Sequence, residues 1–229
     1  MTNFPLEWKA DRLKDVCTVN GVSLAAGTDP DFIFPYLEIS NVDYFGIVDS
    51  TAIERLRFEA APSRARRIVV MNSTIISSVR PNLQAVAFFP DDTAGLICST
   101  GFNVVKPDES RLSPRYVYYV LISDYARQYF EAVATGVGYP AVSDKDFGAL
   151  VLPIPKRPEQ ELIAAFLDKN CAVVDAVASL HEGDDNAQRR KGVLNQQMET
   201  LLAYRKSLIH ECITGQRRIT DDDVRRAGG

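Results

Sequence analysis

Residues 77–84 (SSVRPNLQ) combine side chains that are well suited to contacting nucleic-acid bases. Arg80, Asn82 and Gln84 carry forked donors and acceptors that match the guanine and adenine edges in a major groove. Serine hydroxyls and backbone amides suit phosphate oxygens. The segment alone is a weak signal, because Pro-Asn is also an ordinary turn. It is therefore a candidate binding loop that needs support from the rest of the chain.

Positive charge is concentrated around this segment, although the formal net charge of the chain is −4. Residues 54–80 contain six arginines and only two acidic residues, which leaves a local charge of +4. A basic patch of this kind is the electrostatic footprint of a nucleic-acid site. A solvated surface segment has the same composition, so both interpretations stay open. The arginines are Arg55, Arg57, Arg64, Arg66, Arg67 and Arg80.

Sequence motifs for catalysis are missing. The glycines at 136 and 138 lack the lysine of a phosphate-binding loop, and no dinucleotide-binding, amino-methyltransferase or hydrolase motif is present. The two histidines, His181 and His210, both fall in the C-terminal third. The acidic clusters at 91–92 and 221–223 are more typical of a turn and a tail than of a catalytic site. We therefore expect a binding or scaffolding chain rather than an enzyme, with no cofactor.

Cysteine spacing and hydropathy exclude other classes of protein. Four cysteines are scattered without a CxxC pair, so neither a zinc site nor a disulfide framework is expected. The most apolar runs, 68–71 and 85–89, are far shorter than the ~20 residues of a membrane span. The N-terminus resembles no signal peptide. We expect a cytoplasmic protein.

Residues 1–150 are expected to mix short strands with one helix. Apolar alternation predicts strands at 36–40, 67–78 (one interrupted strand or two), 84–89, 95–98 and 102–105. Ser113 and Pro114 are typical of a helix start, and a helix is predicted over 114–133. Its tyrosine stripe is more typical of core packing than of a base-stacking platform. Two glycines and a proline make 134–140 a loop.

Two long helices are predicted after a proline-rich connector at 151–158. Apolar residues spaced by three and four positions run from 159 to about 180 and again to about 213, and Gly215 is a natural stop. One seam per helix cannot bury itself, so the helices pack on each other, on a second copy or on another protein. A solitary amphipathic hairpin is the alternative. The expected interface residues are Ile163, Phe166, Val173, Val177, Leu194, Leu201 and Leu208.

A series of short motifs runs through the chain, each common alone but specific in this order. They are 6–9 with 12–16, 36–41, 76–81 with 85–87, 99–102, 134–136, 152–155, Pro158-Glu159-Gln160 with Ile163, Phe166-Leu167-Asp168, Arg205, Leu208-Ile209 and Thr214-Gly215. Through these motifs the chain resembles the specificity (S) subunit of Type I restriction–modification systems.

This resemblance implies a non-catalytic protein that recognises double-stranded DNA and holds methyltransferase (modification) subunits on its helices, with restriction/motor subunits joining the full assembly. It implies an α+β fold: a mixed α/β target recognition domain (1–151), an antiparallel, coiled-coil helical region (152–216) and a charged flexible tail (217–229). Arg80, Asn82 and Gln84 are then expected to contact bases or phosphates. Weaker candidates, mostly for DNA backbone contacts, are Arg64, Arg66, Arg67, Thr135, Tyr139 and Lys145.

The chain departs from the family pattern in two ways. Family members usually carry two recognition domains and two helical regions, whereas this chain has one of each and no internal repeat. A homodimer with twofold symmetry would restore the usual arrangement and predict a symmetric, interrupted target, although a truncated subunit is the other interpretation. Residues 181–195 are also longer than the family pattern, which leaves the helix register open. An alternative of another class is a protein-interaction adaptor whose helical pair docks a partner.

Overall fold

The chain adopts an α+β fold in a computed structural model that describes residues 4–43, 46–79, 85–182 and 193–227. The predicted fold class is confirmed. The strands are β1 Lys9–Arg12, β2 Cys17–Val19, β3 Ile33–Leu37, β4 Glu54–Arg57, β5 Ala65–Ile68, β6 Ser73–Ser77, β7 Val86–Phe89, β8 Ile97–Ser99, β9 Phe102–Pro107 and β10 Val151–Ile154. The helices are α1 Leu13–Val16, α2 Pro114–Ile122, α3 Asp124–Val133, α4 Asp144–Gly148, α5 Arg157–Glu182, α6 Val193–Ile213 and α7 Asp221–Arg226.

Two four-stranded sheets form the centre of the N-terminal part. The first has the order β2-β9-β6-β7 and is antiparallel throughout. The second has the order β4-β3-β8-β5, in which only β3 and β8 are parallel. Successive side chains of β6 point to opposite faces of the sheet. Ile76 therefore packs in the cluster that contains α2, and Ile75 packs in a second apolar cluster.

The strand predicted at 36–40 ends earlier, at Leu37, because a polar turn follows it. The backbone N–H of Glu38 donates to Asn41 Oδ1 at 2.7 Å, and the Glu38 side chain accepts from the Asn41 backbone. This capping box stabilises a 3₁₀ turn over Ile39–Asn41.

The helix predicted over 114–133 is broken into α2 and α3 at Ser123. The Ser123 hydroxyl donates to the Val120 carbonyl at 2.6 Å and accepts from the Ala126 N–H at 3.3 Å. The serine thus terminates one helix and caps the next. Its extended backbone (φ −70°, ψ 154°) interrupts the helical path.

The first half of α5 and the last turns of α6 belong to the main core of the molecule. On α5, Ile163, Leu167, Cys171 and Val174 are buried, whereas Val173 is 63% exposed. Val173 is therefore not buried between the helices of this chain, and its place at an interface between chains stays a prediction. Because α5 packs against α2 as well as α6, its buried stripe is wider than a coiled-coil seam and follows the 3.6-residue period of the helix.

Gln160 fastens the start of α5 to the start of α2. Its amide oxygen accepts from the Ser113 N–H at 2.8 Å, and its amide nitrogen donates to the carbonyls of Pro155 at 2.9 Å and Arg111 at 3.1 Å. The side chain is fully buried. Gln160 of the Pro-Glu-Gln motif therefore connects the start of α5 to the start of α2 and to the connector after β10.

The C-terminal segment, predicted as a flexible tail, forms the short helix α7 and packs on α5. Thr220 and Asp223 form a capping box at its start, and Lys169 of α5 donates to the Val224 carbonyl at 2.8 Å. Gly215 has φ +74°, and a Cβ there would lie 2.3 Å from Pro5. Because only glycine allows this close approach, Gly215 lets the N-terminal segment pack on the end of α6.

Within the described ranges, no helix combines the length and apolar character that crossing a membrane requires.

Candidate nucleic-acid interface

Backbone hydrogen bonds bring four separate segments together at one edge of the sheets. The Thr100 N–H donates to the Arg64 carbonyl at 2.8 Å, and the Ser78 N–H donates to the Gly101 carbonyl at 2.8 Å. The Val142 N–H then donates to the Ser78 carbonyl at 2.9 Å. We call this surface the loop edge, defined by Arg64, 78–79, 100–101 and 135–142. Segments that are far apart in sequence therefore present their side chains side by side.

The glycine-rich segment predicted as a loop is a closed hairpin in the structure. Thr135 and Ala141 exchange two backbone hydrogen bonds of 3.0 and 2.9 Å, and Ala141 also pairs with Val79. Between them, Gly136 and Gly138 have φ values of +115° and +82°. Thr135, a predicted contact, is exposed at the base of the hairpin, and Tyr139 is 71% exposed near its tip.

Arg80, Asn82 and Gln84 lie outside the described residues. The residues on either side of them belong to the loop edge or adjoin it. Val79 pairs with Ala141, and the Ser77 N–H donates to the Ala85 carbonyl at 2.9 Å. The residue before the predicted binding loop is thus paired with the 135–141 hairpin, and the residue after it is hydrogen-bonded to β6.

Arg64 lies on the loop edge and has an acidic neighbour. Its guanidinium donates to Glu38 Oε1 at 2.6 Å and to the Tyr36 hydroxyl at 3.3 Å. These contacts raise the pKa of Arg64 above its ordinary value. The Arg64 and Glu38 side chains remain 56% and 37% exposed, so water screens the pair and its energy is small. A phosphate can therefore compete with Glu38 for this guanidinium.

Arg66 and Arg67 are neighbours in β5, but their guanidinium groups have different surroundings. Arg66 stacks on the Phe58 ring, with its Cζ 4.6 Å from the ring centroid. Arg67 turns inward and donates to Asn103 Oδ1 at 2.9 Å and to the Phe102 carbonyl. Burial lowers the pKa of Arg67. Both residues are half-buried: Arg67 bonds to Asn103 and Phe102, whereas Arg66 donates to the Ala65 carbonyl at 2.8 Å and stacks on Phe58.

Lys145 is exposed on α4, immediately after the 135–142 segment. Ser143 caps α4 by accepting from the Asp146 N–H at 3.1 Å, and its hydroxyl donates to the Asp146 carboxylate at 2.6 Å. Asp144 and Asp146 flank Lys145 in sequence, so the local charge of this turn is negative. Lys145 is consequently a weak source of positive potential.

The residues predicted at a helical interface fall into different environments. Ile163, Phe166 and Leu208 are buried in the core of this chain, with exposures of 1%, 4% and 2%. Leu201 is half-buried and Val173 is exposed. Val177 and Leu194 lie on α5 and α6, but their side chains are outside what the structure describes.

Two charged contacts between helices were missed by the sequence-based site prediction. Asp168 on α5 accepts from Arg115 Nε at 2.6 Å and from the Tyr119 hydroxyl at 2.7 Å. Arg205 on α6 lies 2.9 Å from Asp175 on α5 and is 8% exposed. Asp168 and Arg205 were part of the motif series, but spacing alone did not identify their partners. Within the described ranges, no cluster of three or more His, Cys, Asp or Glu side chains could hold a metal ion.

Comparison with known proteins identifies the family. The sequence model described as "Type I restriction modification DNA specificity domain" matches residues 5–177. The Type I restriction enzyme HindI specificity subunit of Haemophilus influenzae is 25% identical over 104 residues, which are 44% of this chain and 23% of that protein.

Solved structures give the same result. The HsdS subunit from Thermoanaerobacter tengcongensis is 29% identical, with a TM-score of 0.65 over 85% of this chain and 49% of that one. A chain from a study of complex assembly and conformational transition of the type I R-M system is 29% identical, with a TM-score of 0.68 over 88% of this chain and 50% of that one. The chain thus spans about a quarter of the curated relative and half of each solved chain. Because the family match covers well over half of its 229 residues, the chain belongs to the family of Type I restriction–modification DNA specificity domains.

Proposed function

We propose that this chain recognises a specific sequence in double-stranded DNA through its loop edge and contributes no catalytic residue of its own. The convergence of Arg64, Ser78–Val79 and the 135–141 hairpin on one surface carries this proposal, because Val79, which immediately precedes the Arg-Pro-Asn-Leu-Gln segment in the sequence, pairs with Ala141 of the hairpin. The relatives support it, since they are specificity subunits of Type I restriction enzymes.

The loop edge predicts a modest electrostatic contribution to DNA binding. Arg64 on the loop edge, Arg66 in β5 and Arg80 in the predicted binding loop are the main candidates for phosphate contacts, whereas Arg67 is committed to Asn103 and Phe102. Each phosphate contact contributes about −0.9 to the slope of log K against log salt concentration. Three arginine contacts give a slope of roughly −3 for each copy of the chain, to which Lys145 adds little.

The helical pair is proposed to bind modification (methyltransferase) subunits and a second copy of this chain, with restriction/motor subunits as further partners. Val173 on α5 and Tyr204 on α6 are 63% and 50% exposed. These side chains provide apolar surface for a partner, because Ile163, Phe166 and Leu208 are already buried inside the chain. A homodimer would place two loop edges on one DNA molecule.

Selection from a pool of random DNA duplexes tests the recognition step. The full chain, alone and with the modification subunit encoded beside it, is expected to enrich one sequence. Arg80→Ala should then cost about 1–3 kcal/mol and relax the preference at one base pair. Arg225 on α7 has a side chain that is 78% exposed, so Arg225→Ala is the matched control. This variant should change neither the affinity nor the base preference. If Arg80→Ala loses the same affinity for every sequence, Arg80 contacts a phosphate rather than a base. If no sequence is enriched and binding does not depend on salt concentration, the protein-adaptor alternative is favoured.

Light scattering tests the assembly step. The chain has a mass of 25.4 kDa, so a homodimer has twice that mass. Val173→Asp is expected to weaken the dimer or its complex with the modification subunit, since it places a charge on apolar contact surface. Val22→Asp, at a valine that is 51% exposed outside the helices, is the control. A strict monomer that ignores the modification subunit would contradict this part of the proposal.

A further inference from the structure

A cavity of about 710 Å³ lies where α2 and α5 begin, at the end of the first sheet that is away from the loop edge. Asn72 lines the cavity and precedes β6, whereas Ser77 at the other end of β6 leads into the loop edge. At about 3.3 Å per residue, the strand separates these two residues by roughly 17 Å. The cavity is therefore distinct from the proposed DNA-binding surface, and its volume is typical of a small-ligand site.

The first turn of α2 begins at this cavity without a cap from its own N-cap residue. Ser113 is that N-cap residue and lines the cavity, yet its side chain caps no N–H group of the nine-residue helix. Ser113 is only 6% exposed, and its hydroxyl makes no hydrogen bond with the part of the chain that the structure describes. By contrast, the Ser123 hydroxyl caps α3. A buried hydroxyl without a partner, beside the free N–H groups of a helix start, indicates a site for an external acceptor.

Two arginines that line the cavity can donate to the same acceptor. Arg115 donates through Nε to Asp168 at 2.6 Å, which leaves both of its terminal nitrogens for a ligand. Arg157 donates through Nε to Glu161 at 2.8 Å and through Nη1 to the Glu109 carbonyl at 2.7 Å, which leaves its Nη2. The cavity therefore offers hydrogen-bond donors of three kinds: a hydroxyl, backbone N–H groups and guanidinium groups.

Two carboxylates also line the cavity, and both are engaged by donors of this chain. Glu109 is paired with Lys106 and accepts from Asn72 Nδ2 at 3.1 Å, and the bond from Lys106 lowers the pKa of Glu109. Asp168 accepts from Arg115 and from the Tyr119 hydroxyl. The negative charge of these groups lowers the affinity for any anion. It therefore favours a ligand that accepts many hydrogen bonds over one that offers charge alone.

We propose that this cavity binds a phosphate group, carried either by inorganic phosphate or by a nucleoside monophosphate. A phosphate group has several acceptor oxygens, which match the Ser113 hydroxyl, the first N–H groups of α2 and the free nitrogens of Arg115 and Arg157. Phe88 and Pro90 line the same cavity and offer apolar surface to a nucleoside. The site goes beyond the proposed DNA recognition and does not depend on it.

NMR titration of the ¹⁵N-labelled full chain with inorganic phosphate and with adenosine monophosphate tests the inference. The backbone amide signals of Arg115 and Tyr116, in the first turn of α2, should shift and saturate with either ligand. Ser113→Ala should weaken phosphate binding about ten-fold or more, because a hydrogen bond to a charged group is lost. Arg157→Gln should also weaken it. Tighter binding of adenosine monophosphate would identify a nucleotide as the ligand, and equal binding would identify the phosphate group alone.

Ser207→Ala is the matched control, since it makes the same truncation at an exposed serine of α6 outside the cavity. It should keep the wild-type affinity for phosphate. Acetate, which has only two acceptor oxygens, should bind more weakly than phosphate. Acetate binding as tight as phosphate binding, unshifted signals of Arg115 and Tyr116, or unchanged phosphate affinity in Ser113→Ala would each overturn the inference. All three outcomes leave the proposed DNA recognition intact.

Discussion

Replacing Gln160 with methionine is predicted to lower the free energy of unfolding by about 3 kcal/mol or more. The buried side chain makes three hydrogen bonds, at 2.8, 2.9 and 3.1 Å, and methionine preserves its volume but none of these bonds. Each buried polar group that loses its partner costs about 1–3 kcal/mol. The groups affected are the Ser113 N–H and the carbonyls of Pro155 and Arg111. The total is a large share of the roughly 5–15 kcal/mol that stabilises a typical domain.

Urea denaturation measures this effect, with fluorescence of Trp8, the only tryptophan, as the probe. The transition midpoint should fall by about 1 M or more, since the dependence on urea is about 1–3 kcal/mol per molar. Gln197→Met is the matched control, because Gln197 is exposed on α6 and its replacement should stay within about 0.5 kcal/mol of wild type. A change this small for Gln160→Met would refute its role as the joint between α2 and α5.

Three further predictions follow from the contacts of individual side chains. Asp168→Ala should destabilise the chain by about 1 kcal/mol. Asp168→Asn should destabilise it by less, because the asparagine amide oxygen still accepts a hydrogen bond from Tyr119. Thermal unfolding compares the two variants. Arg66→Gln should make the slope of log K for DNA binding against log salt concentration shallower by about one unit. Arg67→Met should lower the free energy of unfolding and leave that slope unchanged. Burial raises the pKa of Cys17, Cys98 and Cys212 to about 12. As pH rises, these thiols lose their protons at a lower pH in the unfolded chain than in the folded chain. The free energy of unfolding should therefore fall by about 1 kcal/mol per thiol between pH 9 and pH 10, which urea titration measures.

The sequence was informative wherever local pattern and tertiary packing agree. The loop at 134–140 follows from two glycines and a proline, and α5 and α6 follow from long apolar periodicity. The break at Ser123 was missed because the apolar pattern continues across it, while the serine hydroxyl bonds to the backbone on both sides. Val173 is exposed within the chain because α5 packs on two elements, α2 and α6, and sequence spacing does not reveal how many elements a helix packs on. Its place at an interface between chains stays a prediction.

The sequence predicted which residue types the candidate site contains, but it did not predict which way each side chain faces. Arginine content between 54 and 80 indicated a basic surface, but Arg66 and Arg67 are adjacent in a strand and cannot both face outward. Their orientation depends on pairing with β8, which includes a register shift between Ala65 and Arg67. The inward position of Arg67 therefore follows from strand pairing, which composition does not encode.

The polar contacts between the helices have a consequence for the proposed DNA recognition. Gln160, Asp168 and Arg205 tie α5 and α6 to each other and to α2, which packs on the sheet that carries Ser77. Because α2 also packs on β6 and β7 in the main apolar core, turning the loop edge relative to the helices would disrupt that packing or these bonds, several of which are buried and costly to leave unmade. In the proposed homodimer, the distance between two loop edges is then set by how the helices of the two copies pack. Each base pair added between two half-sites would shift them by about 3.4 Å and rotate them by about a tenth of a turn, so only a narrow range of spacings satisfies both edges at once.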